Sequence, residues 1–290
     1  MTRLPGWFRQ EIPEAEALSW AKILSQTRVR TVCTAARCPN LGYCFKRRKI
    51  TFMLLGNTCT RNCSFCAVGK GENKSSLNLD LDEPQRIAET TKKLGLSYVV
   101  VTSVTRDDLD DGGAAIFART VELVHGINST IKIEVLIPDF AGKISSLKIL
   151  LDAAPDLVAH NLETVRRLCR ELRPQADYRL SLDLLKRIKE FRPGLLTKSS
   201  LMLGLGETER EVVTAMEDLR ESRCDILALG QYLSPSAVHY PVKEFIAAEQ
   251  FVTYAGIGLA LGFKRVLAGP LVRSSYQAEE VFREVVSCTI

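Results

Sequence analysis

Histidine is scarce in this sequence: His125, His160 and His239 are the three in 290 residues, and none lies near a cysteine cluster. Zinc sites built from cysteine and histidine are disfavoured on that ground. Aromatic residues reach only 7%, too sparse for the stacking surface of a nucleic-acid binder, and no nucleic-acid motif is present. No apolar run approaches the ~18 residues of a membrane span. The opening MTRLPGWFRQEIPE has no apolar stretch and carries acids early, so no leader is read there. The expectation is a cytoplasmic protein with neither a membrane nor a nucleic-acid partner. Low-complexity segments and repeats beyond a β/α unit are also missing.

The net charge of +5 is mild. Basic residues gather at Lys46–Lys49 and from Arg166 to Arg192, which reads as solvated helix faces or, second, a docking surface for an acidic protein.

Cysteine is what the chain has in excess. Six of nine lie within 34 residues, in two triplets. Cys33, Cys38 and Cys44 form C-x4-C-x5-C; Cys59, Cys63 and Cys66 form C-x3-C-x2-C. In a reducing compartment clustered cysteines are metal ligands or redox thiols rather than disulfides. Cys169, Cys224 and Cys288 are scattered and read as small buried hydrophobes.

From Ile50 onward short apolar runs alternate with helical patterns. Strands are predicted at 50–56, 98–104, 131–138, 157–161, within 197–206 and at 225–233, with a last extended piece at 263–270. Helices are predicted at 14–24, 83–95, 113–126, 143–153, 162–170, 179–190, 208–222, 242–261 and 277–287. This rhythm means parallel β/α units. Six buried strands are too few for a closed eight-stranded barrel, and pattern alone leaves an open sheet and a partial barrel both standing. In either, ligands gather at the carboxyl ends of the strands, where the cysteine loop leaves the first one. Polar residues at those ends include Thr102, Ser103, Glu134, His160, Asn161, Lys198 and Gln231.

Three thiolates on a tight loop can hold three irons of a cubane and leave the fourth open. An open position distinguishes a working metal site from a structural one. With Phe65 before its last cysteine, this loop resembles the signature of the radical S-adenosylmethionine superfamily. The resemblance implies a full or partial β/α barrel, here a partial (β/α)6 TIM-like barrel at 50–268. It would carry an N-terminal extension at 1–49 and a C-terminal segment at 269–290. It also implies a [4Fe–4S] cluster on Cys59, Cys63 and Cys66, with S-adenosylmethionine on the open iron.

The first triplet, in CTAARCPNLGYC, has neither redox-pair nor zinc spacing. Upstream of such a loop it resembles the lipoyl synthase family. The likeness runs through ARCPN (36–40), GNTCTRNCSFCAV (56–68), TSVTRDDLDDGGA (102–114) and HNLETV (160–165). It continues through RPQADYRLSLDLLKRIKE (173–190), TKSSLMLGLGE (197–207), GQYLSPS (230–236) and GPLVRSSY (269–276). What it implies is a second [4Fe–4S] cluster on Cys33, Cys38, Cys44 and a serine of the last motif. Ser275 is that serine, with Ser274 the alternative, and the cluster is a source of sulfur.

The implied substrate is an octanoyl-lysine on a lipoyl-carrier protein, such as an E2 lipoyl domain or the glycine cleavage H protein. A ferredoxin or flavodoxin would supply electrons, and an iron–sulfur carrier would reload the cluster. Expected cofactor contacts are Thr102, Gly112, Gly113, Glu134, Asn161, Glu163, Lys198, Gly204 and Glu207. The chain departs from the family at Tyr43 (usually acidic), Phe45 (usually Trp), Asn57 (usually acidic) and Asn62 (usually Gly). Two rivals stand beside this reading: another radical sulfur-inserting or methylthio-transferring enzyme, and a non-catalytic carrier of two clusters.

Overall fold

The computed structural model describes residues 5–6, 15–71 and 79–287. Cys288 and the predicted start of the first helix at Glu14 lie outside the described residues. Three helices come first: α1 (Ala15–Thr27), α2 (Val32–Ala35) and α3 (Leu41–Lys46). The last two fall in a stretch expected to be irregular, and helices of 4 and 6 residues are too short to show a 3.6-residue period. Then come β1 (Thr51–Leu54) and the small pair β2 (Thr58–Cys59) and β3 (Gly69–Lys70) around the cysteine loop.

The alternation follows: α4 (Glu83–Leu94), β4 (Tyr98–Ser103), α5 (Ala114–Ile127), β5 (Lys132–Leu136), α6 (Ile144–Asp152) and β6 (Leu157–Ala159). After them come α7 (Arg166–Leu172), α8 (Tyr178–Phe191), β7 (Leu196–Leu203), α9 (Glu209–Glu221) and β8 (Ile226–Gln231). The chain continues with α10 (Ala248–Ala260), β9 (Arg265–Gly269) and α11 (Ala278–Ser287). Local chemistry marks the boundaries. Pro84 opens α4 and left-handed Gly95 closes it, while Thr208 and Glu211 form a reciprocal cap on α9.

Seven parallel strands form one sheet in the order β1-β4-β5-β6-β7-β8-β9. The extended piece near 263–270 is thus a seventh strand, in register with Ile226–Gly230 of β8. α10 starts at Ala248 rather than Val242. The preceding stretch is bound to β8 instead: Gln231 donates to the Glu244 carbonyl at 2.9 Å and accepts from Ile246 N at 2.8 Å.

The sheet curls around its own C-terminal helix. Ala278, Val281, Phe282 and Val285 of α11 share one buried cluster with residues of β4, β6, β7 and β8. Residues from so many strands meet one helix only if the sheet is concave toward it, as in an open barrel. A larger apolar cluster lies on the other face, between strands and outer helices.

β1 and β9 do not pair, so the barrel has a seam. The chain after β9 crosses that seam. Asn40 donates to the Leu271 carbonyl at 2.6 Å, and Thr51 Oγ1 donates to Ser275 Oγ at 2.9 Å. Lys49 pairs with Glu279 and Glu280. The free edge of β1 is covered by Arg30 and Thr31, with Thr31 bridging Phe52 antiparallel.

Candidate active site

The cysteine loop leaves the carboxyl end of β1 through left-handed Leu55 and Gly56 (φ 66° and 88°). Buried Glu83, at the head of α4, fixes that turn by accepting from Leu55 N at 2.6 Å and Gly56 N at 3.2 Å. Arg30 supplies its counter-charge at 2.6 Å. Inside the loop, Arg61 forks onto two carboxylates. It donates to Asp107 at 2.8 and 2.9 Å and to Asp139 at 2.6 Å twice. Asp107 and Asp139 follow β4 and β5, so one side chain ties the loop to two strand ends. Burial pushes the Asp139 carboxyl up, but Arg61 outweighs it and holds it below the usual aspartate value. Paired, hydrogen-bonded charges are what low-dielectric surroundings tolerate.

Above the strands is a cavity of about 510 Å³. Cys59, Cys63 and Cys66 line it, and so do Cys33 and Cys38 of the other triplet. A smaller hollow of about 40 Å³ adjoins the seam, lined by Cys33, Cys38, Cys44, Thr51, Arg273 and Ser275. Ser275 borders both spaces. Ser274 does not reach the small hollow; its hydroxyl donates to Asn161 Oδ1 at 2.8 Å.

All eight described cysteines are free. Burial pushes Cys33 up to about 11 and Cys66 to about 11; burial and then Cys33 and Cys38 push Cys44 to about 12. Such thiols are protonated near neutrality and lose the proton on binding a metal. Among the described residues no three metal-binding side chains close on a single ion. A spread set of thiols suits a cubane, whose irons stand apart and take one thiolate each. Ser103, His160 and Arg173 line the cavity, and each has a buried polar atom without a protein partner: Ser103 Oγ, His160 Nε2 and Arg173 Nε. His160 is held neutral, its pKa lowered to about 4 by burial and then by Arg173. Its Nδ1–H donates to the Ile137 carbonyl at 2.9 Å, so Nε2 is a bare acceptor. Buried polar groups of this kind call for water or a bound polar ligand, and their residues line the cavity beside the three-cysteine loop.

Thr102, Asn161 and Glu163 line this cavity. Glu163 is left-handed (φ 68°), and its carboxyl is pushed up by burial against the opposing pull of Arg173 and Asn161. The other expected contacts are elsewhere. Glu134 and Lys198 are buried inside the barrel as an ion pair, with Tyr98 OH donating to Glu134 at 2.9 Å, and neither lines the cavity. Their charges satisfy each other because both point inward below the strand ends. Gly112 and Gly113 also lie off the cavity, with φ 61° and 89°. A Cβ on Gly113 would stand 2.3 Å from a Leu55 methyl, so packing at the head of α5 accounts for that glycine. Gly204 (φ 91°) is crowded by Gln231 and the Glu244 carbonyl, and Glu207 accepts from Leu205 N at 2.9 Å. Both shape a turn outside the cavity. Arg61 and Arg173, which the sequence does not single out, are central. No periodicity marks a lone arginine, although both stand inside motifs quoted above.

A three-thiolate loop at the carboxyl ends of an open parallel β/α barrel defines a class of radical enzyme. Residues 53–219 match the model of the Radical SAM superfamily. Among solved structures, Streptococcus suis SuiB bound to S-adenosylmethionine shares the fold, with TM-score 0.55, at 14% identity. That likeness covers 83% of this chain and 51% of SuiB, so the chain spans about half the length of that neighbour. HydG, a maturase of the [FeFe]-hydrogenase, aligns with TM-score 0.55 at 15% identity over 87% of this chain and 62% of its own. Lipoyl synthase of Caldanaerobacter subterraneus subsp. tengcongensis is 50% identical over 277 residues, 96% of each chain. That of Caldicellulosiruptor bescii is 47% identical, covering 95% of this chain and 94% of its own. The chain belongs to the lipoyl synthase family.

Proposed function

We propose that the chain inserts two sulfur atoms, at C6 and C8, into an octanoyl group carried on a lysine of a lipoyl-carrier protein. The observation that carries this is the shared cavity: Cys59, Cys63 and Cys66 border one space of about 510 Å³ together with Cys33 and Cys38 of the other triplet, and Cys44 lines the small hollow beside it. A substrate carbon there is within reach of a radical source on one side and a sulfur source on the other. Cys59, Cys63 and Cys66 would hold one [4Fe–4S] cluster, and Cys33, Cys38, Cys44 and Ser275 a second. When bound, the first cluster with S-adenosylmethionine supplies a 5′-deoxyadenosyl radical, and the second supplies sulfur.

The protein's own residues position and exclude. Arg61 holds the loop on the ends of β4 and β5. His160 Nε2 offers an acceptor, and Ser103 and Arg173 offer donors, to the nucleoside or its amino-acid end. Thr102, Asn161 and Glu163 complete that wall. Val104, Ile137 and Leu201 keep the reacting chain from water. Ser275 is favoured over Ser274 because it lines the small hollow with Cys33, Cys38 and Cys44, which Ser274 does not reach. An alkoxide is a harder, less matched ligand for iron than a thiolate, which suits a site that must part with its contents. In this reading residues 1–49 and 269–290 serve the second site, and 50–268 the radical. A ferredoxin or flavodoxin supplies electrons, and an iron–sulfur carrier restores the second cluster. The carriers acted on are E2 lipoyl domains and the glycine cleavage H protein, in the cytoplasm. Among the described residues no helix is long and apolar enough to cross a membrane.

The test is anaerobic reconstitution with counted iron and sulfide, then turnover of an octanoyl-lysine peptide followed by mass. Gain of two sulfurs with two molecules of 5′-deoxyadenosine is the expected outcome. Cleavage of S-adenosylmethionine without any sulfur gain in the fully loaded protein overturns the reading.

A further inference from the structure

Two ligand positions of the second site have neighbours that touch. Tyr43 precedes Cys44, and Tyr276 follows Ser275. Their rings are stacked, with centroids 5.7 Å apart and planes 21° from parallel. Arg47, one turn along α3, places its guanidinium 3.7 Å from the centre of the Tyr43 ring.

We propose that Tyr43 is a positioning residue, a latch that holds the Arg273–Tyr276 segment closed against Cys44 and so sets how readily Ser275 leaves the second site. This rests on the reading of Ser275 as a ligand. Other ties hold the segment too. Asn40 binds Leu271 on one side, Lys49 binds Glu279 and Glu280 on the other, Thr51 and Asn161 reach the two serine hydroxyls, and Arg273 donates to the Val272 carbonyl at 2.7 Å. Hydroxyl contacts to Ser275 must break when that serine moves. The ring stack adjoins Ser275 through Tyr276, involves neither serine hydroxyl and ties the segment to α3, so it can persist while that serine moves. Offset aromatic stacking and a cation over the same ring together change such an opening equilibrium roughly tenfold. An acid at this position has no flat face to offer Tyr276 or Arg47 and would give a looser segment and faster loss of iron.

The test uses the full chain with Tyr43→Phe, Tyr43→Ala and Tyr43→Glu. Two quantities are read: amide hydrogen exchange of the 271–277 peptide, and the rate at which a ferrous chelator removes iron from the reconstituted protein. S-adenosylmethionine cleavage and thermal melting serve as controls for the first site and the fold. Tyr43→Ala and Tyr43→Glu are expected to speed exchange across 271–277 about tenfold and to raise the fast phase of iron loss several-fold, with cleavage unchanged. Tyr43→Phe keeps the ring but loses the hydroxyl contact with Tyr276, and it should loosen the segment clearly less than Tyr43→Ala in both. Unchanged exchange in Tyr43→Ala overturns the latch, as does equal loosening in Tyr43→Phe. Ser275→Ala separates this from the ligand reading. If it leaves iron loss at the parent rate while Tyr43→Ala still loosens the segment, the ligand reading falls and the latch stands.

Discussion

The two cysteine triplets meet at one cavity, which all of the second and Cys33 and Cys38 of the first border, but they are held in place by opposite means. Cys59–Cys66 sits in a loop framed by its immediate surroundings: Glu83 at its root, Arg61 within it, and the β2–β3 pair at its base. Its frame comes from the adjoining β/α units and is rigid. Cys33–Cys44 sits on two short helices and is closed by a segment more than 220 residues away, through single hydrogen bonds, an ion pair and a ring stack. The difference matches two tasks. A radical source must hold one geometry through many cycles. A site that gives up its contents must open, and contacts of modest individual strength permit that.

Substitutions can break this contrast. The largest effect is expected from the cysteines themselves. Cys59→Ala should reduce 5′-deoxyadenosine formation to background. Cys33→Ala should leave cleavage intact and abolish sulfur gain, both read by chromatography and peptide mass. Equal loss of cleavage in the two variants would merge the sites. Next, Ser275→Ala should block sulfur insertion with cleavage retained, while Ser274→Ala should lose far less. A reversed pattern moves the fourth ligand by one residue.

Third comes the rigid frame. Arg61→Met strands the buried Asp139 and should cost about 3–5 kcal/mol in urea unfolding. The parent's advantage depends on pH with a definite sign. Asp139 has a lowered folded value, so the clamp's contribution is present above the ordinary aspartate value of about 3.9. It is lost as pH falls through the lowered one. Unfolding free energies of parent and variant should therefore converge as pH falls below the ordinary aspartate value and through the lowered one; a constant gap contradicts the clamp. The smallest effect is Gly113→Ala, which forces a methyl onto Leu55 and should cost about 1–3 kcal/mol. The KM for S-adenosylmethionine should not change. A raised KM would return Gly113 to the cofactor's wall.

The β/α series was legible because parallel strands buried on both faces are continuous apolar runs and their helices are amphipathic. The cysteine spacings were legible because a loop keeps its ligands close in sequence. What escaped has physical causes. α2 and α3 are shorter than the period that would reveal them. Glu134 and Lys198 stand on correctly predicted strands, but a strand pattern does not tell depth within a barrel, and these two meet below the cavity. Gly112, Gly113 and Gly204 read equally as ligand approach or tight packing until neighbours such as Leu55 and Gln231 are placed. Arg61 and Arg173 act through partners distant in sequence, as does the seam.

That seam has a consequence for how the protein is made. The inner barrel lacks most of its apolar filling until α11 arrives, and the hollow beside Cys33, Cys38 and Cys44, which on the proposed reading holds the second cluster, lacks one wall until Ser275 does. On the ribosome, the radical loop acquires its anchors once β5 and Asp139 have emerged. The sulfur site stays a three-sided cup until almost the whole chain is out. Loading that cup is then a step that follows synthesis, and shortening the chain before Pro270 would leave Tyr98, Val100 and Leu157 facing water in a barrel without a stopper.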